Sequence, residues 1–328
     1  MALAPELVER FRADLSDLWL DMDEPDAKLG IALSGGPDSL ALLLLAGAAL
    51  PGRVEAATVD HGLRPESAAE AEHAAGICAK LGVVHETLRV EVGSGNVQNQ
   101  ARLARYGALS DWAERRGIET LCTAHHRDDQ VETLLMRLNR GSGLSGLAGI
   151  RAAGLVPDSE VILLRPLLGW SRAELCRVVE QGGCEAVHDP SNKDISYDRV
   201  RMREALVSAD WLDREGVARS ARVLADMEDD ILALAAEDYA LASEDDGERI
   251  LYRPHARSGV YRPSVWAEII VMVFEDFDRT ISRADAVRMA ESLVDETPLN
   301  IGGIHAASRH EGEEMVWTFA PENPRRTG

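Results

Sequence analysis

Six consecutive residues, Ser34-Gly35-Gly36-Pro37-Asp38-Ser39, carry the clearest chemistry in the sequence. They follow a short apolar run, LGIAL, and precede a long one, LALLLLAGAAL, so they read as the turn between a strand and a helix. Two glycines let a backbone approach an anion closely, and the first amides of the following helix point at it. Ser34 and Ser39 add hydroxyl donors, and Asp38 can hold a Mg2+ that neutralises a phosphate. A plain turn capped by Asp or Ser is the bland alternative, but strand, loop and helix stand in the order a phosphate site needs. The loop has neither the Gly-Lys-Ser/Thr of the Walker motif nor the G-x-G-x-x-G of dinucleotide folds.

Further polar residues recur where strands should end. Asp60 and His61 close a second apolar run, and Arg102 and Arg105 lie three apart on a helical stretch, spaced to grip a phosphate. An ordinary surface pair is the other reading of those two arginines. A third run ends in His125-His126-Arg127-Asp128-Asp129-Gln130-Val131-Glu132. His125, Asp129 and Glu132 are spaced i, i+4, i+7, so a helix through them puts all three on one face. A solvated acidic helix start is the alternative there, and a metal site lacks further His ligands. Asp189, Asn192 and Lys193 precede Arg199, Arg201 and Arg203, whose alternation suits an extended strand or an irregular arm. These residues are candidates for an ordered loop on a nucleic acid, against solvated ion pairs.

The elements that must position these groups alternate. Strand candidates at 29–33, 54–59, 83–90, 119–124 and 161–166 are separated by helix candidates near 38–49, 66–81, 98–116 and 128–140. That alternation predicts βαβ units and a doubly wound parallel α/β sheet, with ligands beyond the carboxyl ends of the strands. Leu3, Leu7, Phe11, Leu15 and Leu18 predict an amphipathic helix ahead of the sheet, and Ser171 with Glu174 predicts a capped helix after it. Beyond about residue 205 the pattern turns mostly helical, over 211–243 and 264–295, with a weak strand pair near the end. The division expected is a catalytic domain over 1–204 and an accessory, mostly helical domain over 205–328.

The SGGPDS loop resembles that of the ATP-pyrophosphatase (PP-loop) superfamily, which cleaves ATP between the α and β phosphates. Together with VDHGLR (59–64), NQARLARY (99–106), TAHHRDDQVET (123–133), RPLL (165–168), DPSN (189–192) and YDRVRMR (197–203), it resembles the tRNA(Ile)-lysidine synthases over roughly 28–205. The resemblance implies a ligase that adenylates the wobble cytidine of a CAU-anticodon tRNA(Ile) with ATP and then lets free L-lysine displace AMP. Under it, Ser34 to Ser39, Asp60 and His61 bind the nucleotide and Asp38 the metal. Asp38, His125, Asp129 and Glu132 form the catalytic set, in which the carboxylates take a lysine ammonium or its proton. Arg102, Arg105, Asp189, Asn192, Arg199 and Arg203 then contact substrate. Another PP-loop tRNA-modifying enzyme, or a non-catalytic ATP-binding protein of this fold, remains the alternative.

Composition bounds these expectations. At 328 residues with a net charge of −21, the chain is not a general nucleic-acid coat protein. Yet residues 102–140 hold seven bases and six acids, so the motif-bearing stretch escapes the overall acidity. Only three of 35 bases are Lys, and Arg is the better fork for phosphate, which predicts salt-sensitive tRNA binding through a few contacts. Four cysteines without a C-x-x-C pair argue against a zinc ribbon or dithiol and for reduced thiols in a cytoplasmic protein. No membrane span is expected, and a monomer or homodimer is.

Overall fold

The computed structural model describes residues 3–62, 67–90, 97–187, 197–254 and 262–322; in 97–99 it describes the backbone alone. They form two compact units, Met1–Ala225 and Asp226–Gly328.

In the first unit, α1 (Pro5–Ser16) precedes β1 (Leu29–Ala32), α2 (Pro37–Ala49), β2 (Val54–Asp60), α3 (Ser67–Leu81), β3 (Val84–Arg89), α4 (Val97–Arg116) and β4 (Thr120–Cys122). Next come α5 (Arg127–Asn139), the single-turn α6 (Leu144–Leu147), β5 (Ala153–Leu155), β6 (Ile162–Leu164), α7 (Arg172–Gly182) and α8 (Asp198–Val207). The six strands order as β3-β2-β1-β4-β6-β5, parallel except for β5. The parallel α/β sheet expected from the sequence is therefore present, with β5 as an unforeseen antiparallel edge. Its three exposed residues, Ala153, Gly154 and Leu155, carry no apolar run to announce it.

Helices cover both faces. On one, α1, α2, α7 and part of α3 enclose a core that holds the whole of Leu40–Ala46. A helix this apolar all round can exist only if buried, which fixes α2 against the sheet. On the other face, α4 packs Tyr106, Leu109, Trp112 and Ala113 against the strands. A side chain at Gly30 would meet Trp112 and Ile118 at 3.1 Å, so glycine there lets α4 lie close on β1.

The order reverses at β1: β2 and β3 step to one side and β4 lies on the other. A crevice opens at such a switch point. The helices that leave β1 and β4, α2 and α5, both start there and direct their amino ends toward it.

The predicted cap of α7 is present. Ser171 Oγ accepts from the Glu174 amide at 3.3 Å, and Glu174 Oε2 accepts from the Ser171 amide at 2.8 Å. Gly183, in the left-handed region at φ 63°, ends the helix. Ser171→Ala should lower stability by about 1 kcal/mol, read as a shifted urea midpoint with unchanged slope.

In the second unit, α9 (Arg214–Ala242), which begins in the first, leads to β7 (Ser243–Asp245), β8 (Ile250–Tyr252), α10 (Pro263–Asp276) and α11 (Arg283–Val294). Strands β9 (Leu299–Ile301), β10 (Ile304–Glu311) and β11 (Glu314–Pro321) follow. Together they make a five-stranded antiparallel sheet, β7-β8-β11-β10-β9, where the sequence suggested only a strand pair. The short strands β7, β8 and β9 are three residues each, too brief to show a period. The helical stretch 264–295 is two helices, separated around Asp278 at φ 53° and restarted by the Ser282 cap.

The four cysteines are free thiols, with Cys78 and Cys122 buried. Among the described residues no helix is long and apolar enough to cross a membrane.

Candidate active site

The Ser34–Ser39 loop is tied to itself. Ser39 Oγ donates to the Gly36 carbonyl at 3.0 Å, accepts from the Ser34 amide at 3.2 Å and lies 3.0 Å from Ser34 Oγ. Gly35 turns the chain at φ 79°, a backbone state that favours glycine, and its carbonyl accepts from the Val187 amide. Gly36 caps α2 and Pro37 opens it, where the absent N–H costs nothing. The Asp38 and Ser39 amides, in the first turn, have no helical acceptor and face the crevice.

The crevice is a cavity of about 670 Å3 lined by Ser34, Asp38, Ser39, His61, Arg102, Arg105, His125, Asp129, Arg199 and Arg203, among others. That is a usual size for a cofactor site. Residues taken from five separate stretches of sequence therefore meet in one place. Strand-end residues Ala32, Leu33, Ala57, Thr58 and Val59 give it an apolar side.

Asp60 stands apart. Its Oδ1 accepts from the Gly62 amide at 2.9 Å and Ser67 Oγ at 2.6 Å, bonds that hold its carboxyl below the usual range. It shapes the end of β2, while His61 beside it reaches the cavity. Burial, aided by Arg105, lowers the His61 pKa.

Arg102 and Arg105 both flank the Tyr106 ring, with guanidinium carbons 5.1 and 5.7 Å from its centroid. Burial first, then the nearby Arg102, makes the Arg105 charge costly and lowers its pKa from the usual arginine value. An anion in the cavity would relieve both.

Helix α5 corrects the sequence reading. It begins at Arg127 with His126 as its cap, so His125 precedes the helix and does not share a helical face with Asp129 and Glu132. His125 reaches the cavity from the strand end, with Nδ1 3.0 Å from Thr123 Oγ1. Burial pushes its pKa down to about 4, so the ring is neutral near pH 7. The unfolded chain binds that proton from about 6.5, and the folded chain only near 4. Stability from this group is therefore complete above 6.5 and lost as pH falls toward 4. His125→Gln should flatten the difference between urea midpoints at pH 7 and pH 5; an unchanged difference would contradict the assignment.

The arginines after residue 197 are also corrected. They sit on a helix, α8, and not on a strand or arm, so Arg199 and Arg203 share a face and Arg201 turns away to pair with Asp198. Arg199 donates to Asp129 Oδ1 at 2.8 Å and Glu132 Oε2 at 2.9 Å. Arg203 donates to Glu132 Oε1 at 2.8 Å and Oε2 at 3.2 Å. Glu132, 2 % exposed, is thus enclosed by two guanidiniums behind the cavity wall, whereas Asp129 forms part of the wall. Asp189, Asn192 and Lys193 lie outside the described residues.

Two further groups stand in the sequence only as members of motifs, with no role assigned to them. Arg165 is a partly buried cation near Arg102 and Tyr106, with its pKa lowered mainly by burial. His126 sits between Asp38 and Asp129, with Nε2 3.6 Å from Asp38 Oδ2 and 3.5 Å from Asp129 Oδ2. Histidine is no favoured cap, so capping preference alone does not find it.

A mostly parallel sheet whose first strand empties into SGGPDS, above a cofactor-sized cavity, defines the PP-loop class of ATP-using proteins, and the PP-loop domain model matches residues 7–210. Its relatives are more particular. Over 219 residues the chain is 54% identical to tRNA(Ile)-lysidine synthase of Novosphingobium aromaticivorans, covering 66% of each chain. It is 46% identical to that of Zymomonas mobilis over 69% of each, and 48% identical to that of Ruegeria pomeroyi over 62% of this chain and 48% of the relative. The chain belongs to the tRNA(Ile)-lysidine synthase family. It spans about two thirds of the first two relatives and about half of the third. Among solved structures, a tRNA thiolase of Methanococcus maripaludis shares the fold at a TM-score of 0.56 and 15% identity, over 67% of this chain and 79% of that one.

Proposed function

We propose that this protein converts the wobble cytidine of a CAU-anticodon tRNA(Ile) to lysidine. The cytidine C2 oxygen attacks the α-phosphorus of ATP and pyrophosphate leaves. An amine of free L-lysine then attacks C2, loses its proton, and AMP departs with the former C2 oxygen. One observation carries the reading: the anion-binding start of α2 and the carboxylate of Asp129 face a single cavity.

The loop amides and the Ser34 and Ser39 hydroxyls bind phosphate oxygens. Asp38 Oδ1 is buried without a hydrogen-bond partner, which suits a cation-held carboxylate, and Mg2+ there would offset charge on the phosphates. His61, Arg102 and Arg105 supply further donors to the nucleotide or to tRNA phosphate. Neutral His125 can donate or accept without adding charge. Asp129 faces the lysine ammonium and accepts its proton. Glu132 acts one layer out, holding Arg199 and Arg203 at the cavity. Such an enzyme works in the cytoplasm, where its tRNA is.

Incubation of the protein with ATP, Mg2+, lysine and a CAU-anticodon tRNA tests this by mass analysis of the tRNA. A lysine adduct with stoichiometric AMP is expected. A preparation that binds ATP and forms no adduct would overturn the proposal, and AMP release without a lysine adduct would favour another tRNA modification.

A further inference from the structure

Asp38 and Asp129 belong to different helices, α2 and α5, which leave adjacent strands. Both carboxylates face one cavity. Like charges converging at a site push apart unless something between them holds them. The side chain between them is His126, 2 % exposed.

Its orientation is fixed from the other edge of the ring. His126 Nδ1 accepts the Asp128 amide at 3.2 Å as the α5 cap, while the His126 amide donates to Asp129 Oδ2 at 3.0 Å. A ring nitrogen that accepts carries no hydrogen, so the proton sits on Nε2. Nε2 is the atom that stands 3.6 Å from Asp38 and 3.5 Å from Asp129. Both distances are longer than a hydrogen bond, so Nε2 stands between the two carboxylates as a polar edge at electrostatic range and bonds tightly to neither.

We infer that His126 is a positioning residue: the α5 cap locks its tautomer, and its Nε2–H fixes the separation of Asp38 and Asp129. It touches neither nucleotide nor lysine and acts through the two carboxylates. The inference rests on the reading above that Asp38 serves the nucleotide and Asp129 the lysine.

Two substitutions separate the cap from the bridge. An Asn amide oxygen sits where Nδ1 does and caps well, but it has no group at Nε2. A Gln amide reaches the Nε2 position and loses the cap. Full-length His126→Asn should keep its melting temperature and its KM for ATP within about threefold, while kcat for tRNA-dependent pyrophosphate release falls about tenfold or more. His126→Gln should melt lower than His126→Asn yet turn over faster, at a temperature where both are folded. If His126 only caps the helix, the order reverses: Asn is fully active and Gln the poorer enzyme. Asn at wild-type kcat, or folded Gln no faster than Asn, overturns the inference. Wild-type protein in the same assay separates the two claims. If it releases no pyrophosphate, the proposed function fails and this inference falls with it; if it is active, the variants judge His126 alone.

Discussion

Asp38→Ala should lose tRNA-dependent pyrophosphate release by about a thousandfold while remaining folded. On the role proposed for Asp38, the magnitude follows from removing a charge that would organise a cation at the phosphates as charge develops there. The fold should survive because Asp38 lies half-buried in the first turn of α2, at the cavity, and its Oδ1 has no hydrogen bond to lose. The helix itself is held by Leu40 to Ala46, which the substitution does not touch. Asp38→Asn should be nearly as poor, since an amide keeps the shape but not the charge. Circular dichroism with a pyrophosphate-release assay checks both. Retention of more than about a tenth of wild-type rate in Asp38→Ala would show that the carboxylate does not serve the phosphates.

Glu132→Ala should have the other large effect, on stability and on lysine transfer together. Breaking a buried ion pair by deleting one partner costs about 3 kcal/mol, because the charges left behind have no partner. Arg199 is 43% and Arg203 30% exposed in their side chains, so both can turn partly to water, and the lower end of the range applies. The loss should appear as a melting temperature lower by about 8 °C. Once released from Glu132, Arg199 is free to move away from Asp129 or to cover it. Single-turnover transfer of lysine should then slow about a hundredfold, with ATP affinity changed only a few-fold. Loss of ATP binding with transfer intact would place Glu132 with the nucleotide instead.

Much of this was legible in the sequence because the ends of buried strands are local events. LGIAL followed by SGGPDS and LALLLLAGAAL allows one arrangement of strand, anion loop and buried helix. The expected parallel sheet and the cap at Ser171 follow the same local logic. What failed was phase. The sequence gives the spacing of His125, Asp129 and Glu132 but not where the helix begins, and a start at Arg127 removes His125 from the shared face. Arg199, Arg201 and Arg203 alternate, which imitates a strand. Their helical state is set by partners some 70 residues earlier, Asp129 and Glu132, which only tertiary structure brings near. His126 was hidden for a related reason. Its partner Asp38 is far away in the chain, and nothing local tells one histidine of a pair from the other.

The switch point in the sheet also bears on how the protein comes to be active. Strand β1 pairs with β4 in the register Leu29↔Thr120, closing a loop of about 90 residues, and the cavity exists only once that pairing is made. Loops of that length close late, whereas helices such as α2 form fast once begun. During refolding, helical circular dichroism should therefore recover before nucleotide affinity does. On the ribosome, a chain that has emerged only through β3 already carries the whole SGGPDS loop and yet has no place for ATP. Topology thus places completion of the cavity after β4 in the order of synthesis.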